Sequence, residues 1–70
     1  MADFVAINGS IVFTRDYEDG WVTGERVIRA GTRVVVTRIH RGMFGDITHV
    51  DVRLPNGRFL REVESDYFRG

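Results

Sequence analysis

Glycine and proline interrupt this chain at short intervals, and the segments between them are rich in valine, isoleucine, threonine and aromatic residues. Such residues pack well on a pleated surface, and the glycines and proline end each segment early. The pattern predicts an all-β protein of about five short strands. A chain of 70 residues has room for one domain, over residues 1–70. Because closure removes exposed strand edges, we expect the strands to form a small barrel.

The first hairpin is predicted at Asn8-Gly9, a dipeptide that favours a type I′ turn with positive φ at both central residues. A two-residue loop would set Ile7 opposite Ser10 and Val5 opposite Val12. Both faces of this hairpin would then be apolar. We therefore expect the C-terminal tail or a partner to cover one of them.

The clearest alternating strand is ITHVDVRL, in which alternation predicts one apolar face and one polar face. The predicted inward face carries Thr48, Val50, Val52 and Leu54, and the other face carries His49, Asp51 and Arg53. It leads into Pro55-Asn56-Gly57, which predicts a three-residue hairpin turn with a bulge at the glycine. The favoured register pairs opposite charges across the ladder. Its three pairs are Val52 with Leu60, Arg53 with Phe59, and Asp51 with Arg61.

Two further strand candidates, GWVTGERVI and GTRVVVTRIH, are joined around Ala30-Gly31. The closing segment EVESDYFRG loses its alternation at Glu64, Ser65 and Asp66, which predicts a short turn of 3₁₀-helix.

Two motifs resemble those of the Src-homology-3-like small barrels, a superfamily that includes Tudor-like and KOW-like modules. DGWVTGE at residues 19–25 is similar to the Asp-Gly-Trp-x-x-Gly-Glu run of such domains, and SDYF at residues 65–68 is similar to their closing Ser-Asn-Tyr-Val turn. The spacing between the two motifs is longer here than in the eukaryotic pattern. The resemblance implies a five-stranded barrel with a C-terminal 3₁₀ turn, in a superfamily whose members bind proteins, RNA, DNA or metabolites.

Charge is distributed unevenly along the chain. All ten basic residues are arginine, ten residues are acidic, and the net charge is zero. Residues 26–45 contain five arginines and no acidic residue, and these arginines predict a contact with nucleic acid or with an acidic partner. They are Arg26, Arg29, Arg33, Arg38 and Arg41. Alternatively, they alternate outward and pair with the acidic residues of the first segment. In an unbroken strand Arg33 and Arg38 point to opposite faces, so a bulge would be needed to align them.

Two loops carry candidate contacts for a protein partner. In HRGMFGD, Met43 and Phe44 lie between two glycines, where they are either displayed to a partner or folded back as a lid on the barrel. In RDYEDGW, Tyr17 and Trp21 flank an acidic loop; both residue types are favoured in interfaces, although Trp21 fits a core position equally well.

No pattern of catalytic or metal-binding residues is recognised. The chain has no cysteine, and His40, Asp46, His49 and Asp51 have no recognised ligand spacing. Ser10 and Ser65 lie in turns without a neighbouring histidine. We therefore expect no enzymatic activity, no cofactor and no metal. The N-terminus lacks a basic leader and no apolar run reaches membrane length, so we expect a cytoplasmic protein.

These features favour a non-catalytic binding module that acts through a protein partner or through self-association. The alternative is a KOW-like or Tudor-like nucleic-acid binder that uses the arginine-rich segment, although a pI near 6.7 disfavours it. Small size and exclusive use of arginine would suit an accessory protein of a phage or a mobile element.

Overall fold

A computed structural model describes residues 5–18 and 27–69, so Trp21 and Arg26 lie outside the described residues. The described part contains six strands and one 3₁₀ turn, which confirms the prediction of an all-β protein with a C-terminal 3₁₀ turn. The strands are β1 (Ser10–Val12), β2 (Tyr17–Glu18), β3 (Val27–Ile28), β4 (Arg33–Arg41), β5 (Ile47–Arg53) and β6 (Phe59–Glu64), followed by η1 (Ser65–Phe68). No helix long and apolar enough to span a membrane occurs in these two segments.

The strands form two antiparallel sheets. The larger sheet has the order β1-β4-β5-β6, and β2 pairs with β3 in the smaller one. Within the described residues neither sheet closes on itself, so strand pairing does not yield the predicted five-stranded barrel. The larger sheet nevertheless carries three register shifts, which bend its strands and increase their twist.

The core lies on one face of the larger sheet, where alternation places valine and leucine. Val36, Val50, Val52 and Val63 are fully buried, and they come from the three long strands. Burying each valine contributes roughly 1.5 to 3 kcal/mol relative to an exposed side chain. The predicted inward face of β5 is confirmed at Val50, Val52 and, just after the strand, Leu54, which are buried. At the start of the strand Ile47 is buried and Thr48 is only half-buried, because a register shift adds one residue to β5 at this point.

Aromatic residues close the open side of this core. Phe13 is buried and its ring lies 4.4 Å from that of Phe68 in η1. Thr14, just beyond β1, donates its backbone N–H to the Tyr67 carbonyl (2.8 Å) and its Oγ1–H to the Arg69 carbonyl (2.7 Å). The C-terminal turn thus covers the β1 side of the core.

The predicted hairpin at Asn8-Gly9 is wrong. The Gly9 N–H donates to the Ala6 carbonyl (2.8 Å), and φ is positive at Asn8 (67°) but not at Gly9. This is a type II turn, whose twist does not suit a two-residue hairpin. Residues 5–9 consequently form no strand with β1, which pairs with β4 instead and sets Ile11 opposite the buried Val34.

The hairpin at Pro55-Asn56-Gly57 is confirmed. The Gly57 N–H donates to the Leu54 carbonyl (2.9 Å), the Leu54 N–H donates to the Arg58 carbonyl (2.7 Å), and Gly57 has a φ of 92°. Two of the three predicted pairs are found, Val52 with Leu60 and Arg53 with Phe59. The third is wrong: a bulge in β6 places both Arg61 and Glu62 opposite Asp51, and the Asp51 carboxylate accepts hydrogen bonds from other groups.

Candidate binding surfaces

The loop between β4 and β5 is a tight turn that its own hydrogen bonds hold in place. The Gly42 N–H donates to the Asp46 carbonyl (2.8 Å), and the Gly45 N–H donates to the Gly42 carbonyl (3.0 Å). Gly45 has a φ of 83°, which favours glycine, and Arg41 donates an Nη1–H to its carbonyl (2.8 Å). The hairpin therefore ends in a defined tip rather than a long loop.

This tip, Met43 and Phe44, projects into solvent. The two side chains are 91% and 89% exposed, the highest values among the large apolar residues that the structure describes. The interpretation of Phe44 as a lid on the core is therefore wrong, and the alternative of outward display is the observed arrangement. Neither residue belongs to the core cluster, so the fold does not depend on them for packing.

A β-bulge in β4 brings Arg33 and Arg38 to one side of the sheet. The register runs from Val36 opposite Val52 to Arg38 opposite Asp51, so β4 carries one extra residue at this point. The extra residue reverses the alternation after Val36. Arg33 and Arg38 therefore both point away from the core, through the bulge that their alignment was predicted to need.

The other described arginines of the 26–45 segment lie elsewhere. Arg29 follows β3, and its Nη1 is 3.8 Å from a carboxylate oxygen of Asp16. Arg41 donates a hydrogen bond to the β4–β5 turn, and it lies at the opposite end of β4 from Arg33. Proximity in the chain therefore does not place Arg29 on the same sheet as Arg33 and Arg38, because β3 and β4 belong to different sheets. The predicted contact of these arginines with nucleic acid or an acidic partner stays a prediction.

The Tyr17 side chain packs against other aromatic residues of the protein. It is half-buried, its ring centroid lies 5.7 Å from that of Phe13, and it makes an edge contact with Tyr67 at 4.9 Å. These contacts make it a packing residue of the aromatic cluster. The predicted partner contact at Tyr17 stays a prediction.

The face of the larger sheet that points away from the core, called the outer face here, carries residues that sequence reasoning overlooked. One row crosses all four strands, since Ser10 and Arg53 both pair with Val35, and Arg53 also pairs with Phe59. Phe59 is 62% exposed. The signal was present in the sequence: Leu60 points inward, so alternation turns Phe59 and Arg61 outward.

Asp51 lies at the centre of the outer face, between two bulges. One bulge is in β4 beside Arg38, and the other is in β6, where Glu62 has a φ of 54°. A carboxylate oxygen of Asp51 accepts a hydrogen bond from the Glu62 backbone N–H (2.8 Å) and lies 2.9 Å from Nε2 of His40. Asp51 thereby joins β6 to β4 across β5.

Partial burial by itself raises the pKa of Asp51, because desolvation disfavours the charged form. Other interactions lower the pKa of Asp51 by more than burial raises it. They are the hydrogen bond from the Glu62 backbone, the hydrogen bond and charge interaction with His40, and the charge of the nearby Arg38. The pKa of Asp51 therefore lies below its ordinary value. An ionised Asp51 thus stabilises both bulges. Among residues 5–18 and 27–69, no group of three or more histidine, cysteine or acidic side chains is arranged to hold a metal ion.

Comparison of the chain with protein-family models, with curated proteins and with solved structures found no significant match.

Proposed function

We propose that the protein is a non-catalytic binding module that acts through a protein partner or through self-association, with the tip of the β4–β5 hairpin as its contact. The observation that carries the proposal is the exposure of Met43 and Phe44, at 91% and 89%, on a turn held by its own hydrogen bonds. Burying one such side chain against a partner contributes roughly 1.5 to 3 kcal/mol. Two adjacent apolar residues therefore provide a strong anchor.

The geometry of the tip favours binding for a second reason. Association costs free energy when a loop must be ordered, and a preorganised loop reduces this cost. Here β4 and β5 are the two longest strands, and Arg41 is bonded to the turn itself. A rigid hairpin that presents a large aromatic ring and a flexible methionine suits insertion into an apolar pocket of a protein.

We propose further that the fold is a small Src-homology-3-like barrel. The hydrogen bonds from Thr14 to the carbonyls of Tyr67 and Arg69 support this, because they connect the chain after η1 to the end of β1. They join the two ends of the larger sheet through the C-terminal turn. Register shifts in β4, β5 and β6 supply the bending that such closure needs.

The double variant Met43→Ser, Phe44→Ser tests the tip. Self-association is measured by sedimentation velocity over a wide concentration range, and partners are captured from a bacterial lysate, identified by mass spectrometry and titrated as purified proteins. We expect the double variant to weaken the measured association at least about 10-fold, equivalent to about 1.4 kcal/mol. Its urea midpoint should hardly change, since surface substitutions cost less than about 0.5 kcal/mol.

Phe59→Ser is the matched control, because it also removes an exposed phenylalanine but from the outer face. It should leave the association through the tip unchanged. The proposal is refuted if the double variant associates as the parent does, or if the parent neither self-associates nor binds any purified candidate. A large drop in the urea midpoint of the double variant would show that the tip serves folding instead.

A further inference from the structure

Four arginines and one exposed aromatic ring share the outer face of the larger sheet. Arg33 and Arg38 project there from β4 and Arg53 projects from β5, while Phe59 and Arg61 project from β6. Arg38, Arg53 and Arg61 form no salt bridge within the described residues. All three residues are exposed, and Arg38 lies near enough to the Asp51 carboxylate to lower its pKa.

The carboxylate at the centre of this face is already occupied. Asp51 accepts hydrogen bonds from the Glu62 backbone N–H and lies within hydrogen-bonding distance of His40. Glu64 lies at the far end of β6 from Phe59, whereas Glu62 lies next to Arg61. Around Phe59 the three arginines Arg38, Arg53 and Arg61 outnumber Glu62, so this half of the face carries an excess of positive charge although the whole chain has a net charge of zero.

The outer face contains an open depression of about 540 Å³. Arg38 and His40 line it from β4, Asp51 lines it from β5, and Phe59, Arg61 and Glu62 line it from β6. Guanidinium groups suit phosphate, because they offer paired donors in a planar fork. An exposed ring on an open sheet suits an unpaired base, because every base has a face that stacks. The depression thus offers both contacts that one nucleotide of a single strand needs.

We infer that this half of the outer face binds single-stranded nucleic acid, with Phe59 stacking on a base and Arg38, Arg53 and Arg61 contacting phosphates. The surface is distinct from the Met43-Phe44 tip, and the inference does not rest on the function proposed for the tip. Charge complementarity selects a polyanion. The exposed ring beside the arginines selects unpaired bases over a duplex, whose bases are already stacked, and over an acidic peptide, which offers no such stacking partner.

Fluorescence anisotropy with labelled dT10, rU10, a DNA duplex of the same length and a polyglutamate peptide tests the inference. We expect dT10 or rU10 to bind more tightly than the duplex and the peptide, and the two single strands show whether DNA or RNA is preferred. Contacts with three phosphates predict a log–log salt slope of about −2, at about 0.7 per phosphate of a single strand.

Two matched pairs of variants locate the site. Phe59→Ala should weaken binding about 10-fold, within the range for loss of one base–aromatic stack, whereas Phe44→Ala should not change it. Phe59→Tyr retains the ring and should restore binding. The double change Arg53→Gln, Arg61→Gln should reduce the salt slope by about 1.4, since two phosphate contacts are lost. Arg29→Gln removes an arginine from the other sheet and should leave the slope unchanged.

The denaturation midpoint of each variant is measured in parallel, so that loss of folding is not mistaken for loss of binding. The inference is overturned if no single strand binds at low salt. It is equally overturned if the duplex or polyglutamate binds as tightly as the single strands, which would indicate a general anion or protein contact. Equal affinities for Phe59→Ala and Phe44→Ala would remove Phe59 from the site.

Discussion

Replacing Asp51 by alanine should cost more stability than replacing any other acidic residue of the outer face. The Asp51 carboxylate accepts the Glu62 backbone N–H at 2.8 Å and contacts His40 at 2.9 Å, and its side chain is only 17% exposed. A hydrogen bond to a charged group contributes about 1.5 to 3 kcal/mol. We therefore expect a loss of about 2 kcal/mol, a large part of the total for a chain of this size.

Urea denaturation followed by circular dichroism measures this loss. For a small protein the dependence on urea is about 1 kcal/mol per molar, so the midpoint should fall by about 2 M. Glu64→Gln is the control, because it removes a carboxylate of the same face that lies opposite His49 without a comparable hydrogen bond. The reasoning fails if Asp51→Ala shifts the midpoint no further than Glu64→Gln does.

The pH dependence of the stability that Asp51 contributes follows from the direction of its pKa shift. The pKa of Asp51 is lower in the folded state than its ordinary value of about 3.9. Its contribution to stability is therefore fully present above the ordinary pKa and is lost as the pH falls through the lower, folded value. Asp51→Asn, which carries no charge, should thus differ most from the parent near neutral pH. The difference should narrow below about pH 4.

Two further predictions concern the fold. Phe13→Ala should lower the free energy of unfolding by about 3 to 5 kcal/mol, because it opens a cavity beside Phe68. Thermal unfolding measures this loss, and a midpoint close to that of the parent would contradict the buried position of the ring. Gly57→Ala should cost about 1 kcal/mol, since its φ is 92° and no atom lies near enough to clash, so that only backbone strain acts. Gly57→Asn should cost less, and equal urea midpoints for the two variants would contradict a left-handed turn.

The sequence by itself predicted those features whose causes are local. The alternation of Val50 and Val52 with polar residues defines the inward face of β5, because successive side chains of a strand point to opposite sides. The turn at Pro55-Asn56-Gly57 was predictable because its cause is also local: proline fixes its own φ, and glycine readily adopts the positive φ that the turn needs. The 3₁₀ turn at Ser65–Phe68 likewise begins where the apolar–polar alternation of the sequence is lost, at Glu64, Ser65 and Asp66.

The sequence gives a wrong prediction where one dipeptide is compatible with two turn types. Asn8-Gly9 fits the first hairpin of a sheet, yet only Asn8 adopts a positive φ. The partner of β1 decides between the turns, and that partner is β4, more than twenty residues further along the chain. The four residues of the turn do not predict a contact that is so distant in sequence.

Only the tertiary structure decided which charged and aromatic residues share a surface. A bulge is a mismatch in length between two paired strands, so neither strand alone predicts it. The bulge in β4 aligns Arg33 with Arg38, and the bulge in β6 sets Glu62 beside Asp51, where Arg61 alone was expected. The outer face, with Phe59 among its arginines, therefore arises from pairing between strands, because pairing fixes which side of the sheet each residue occupies.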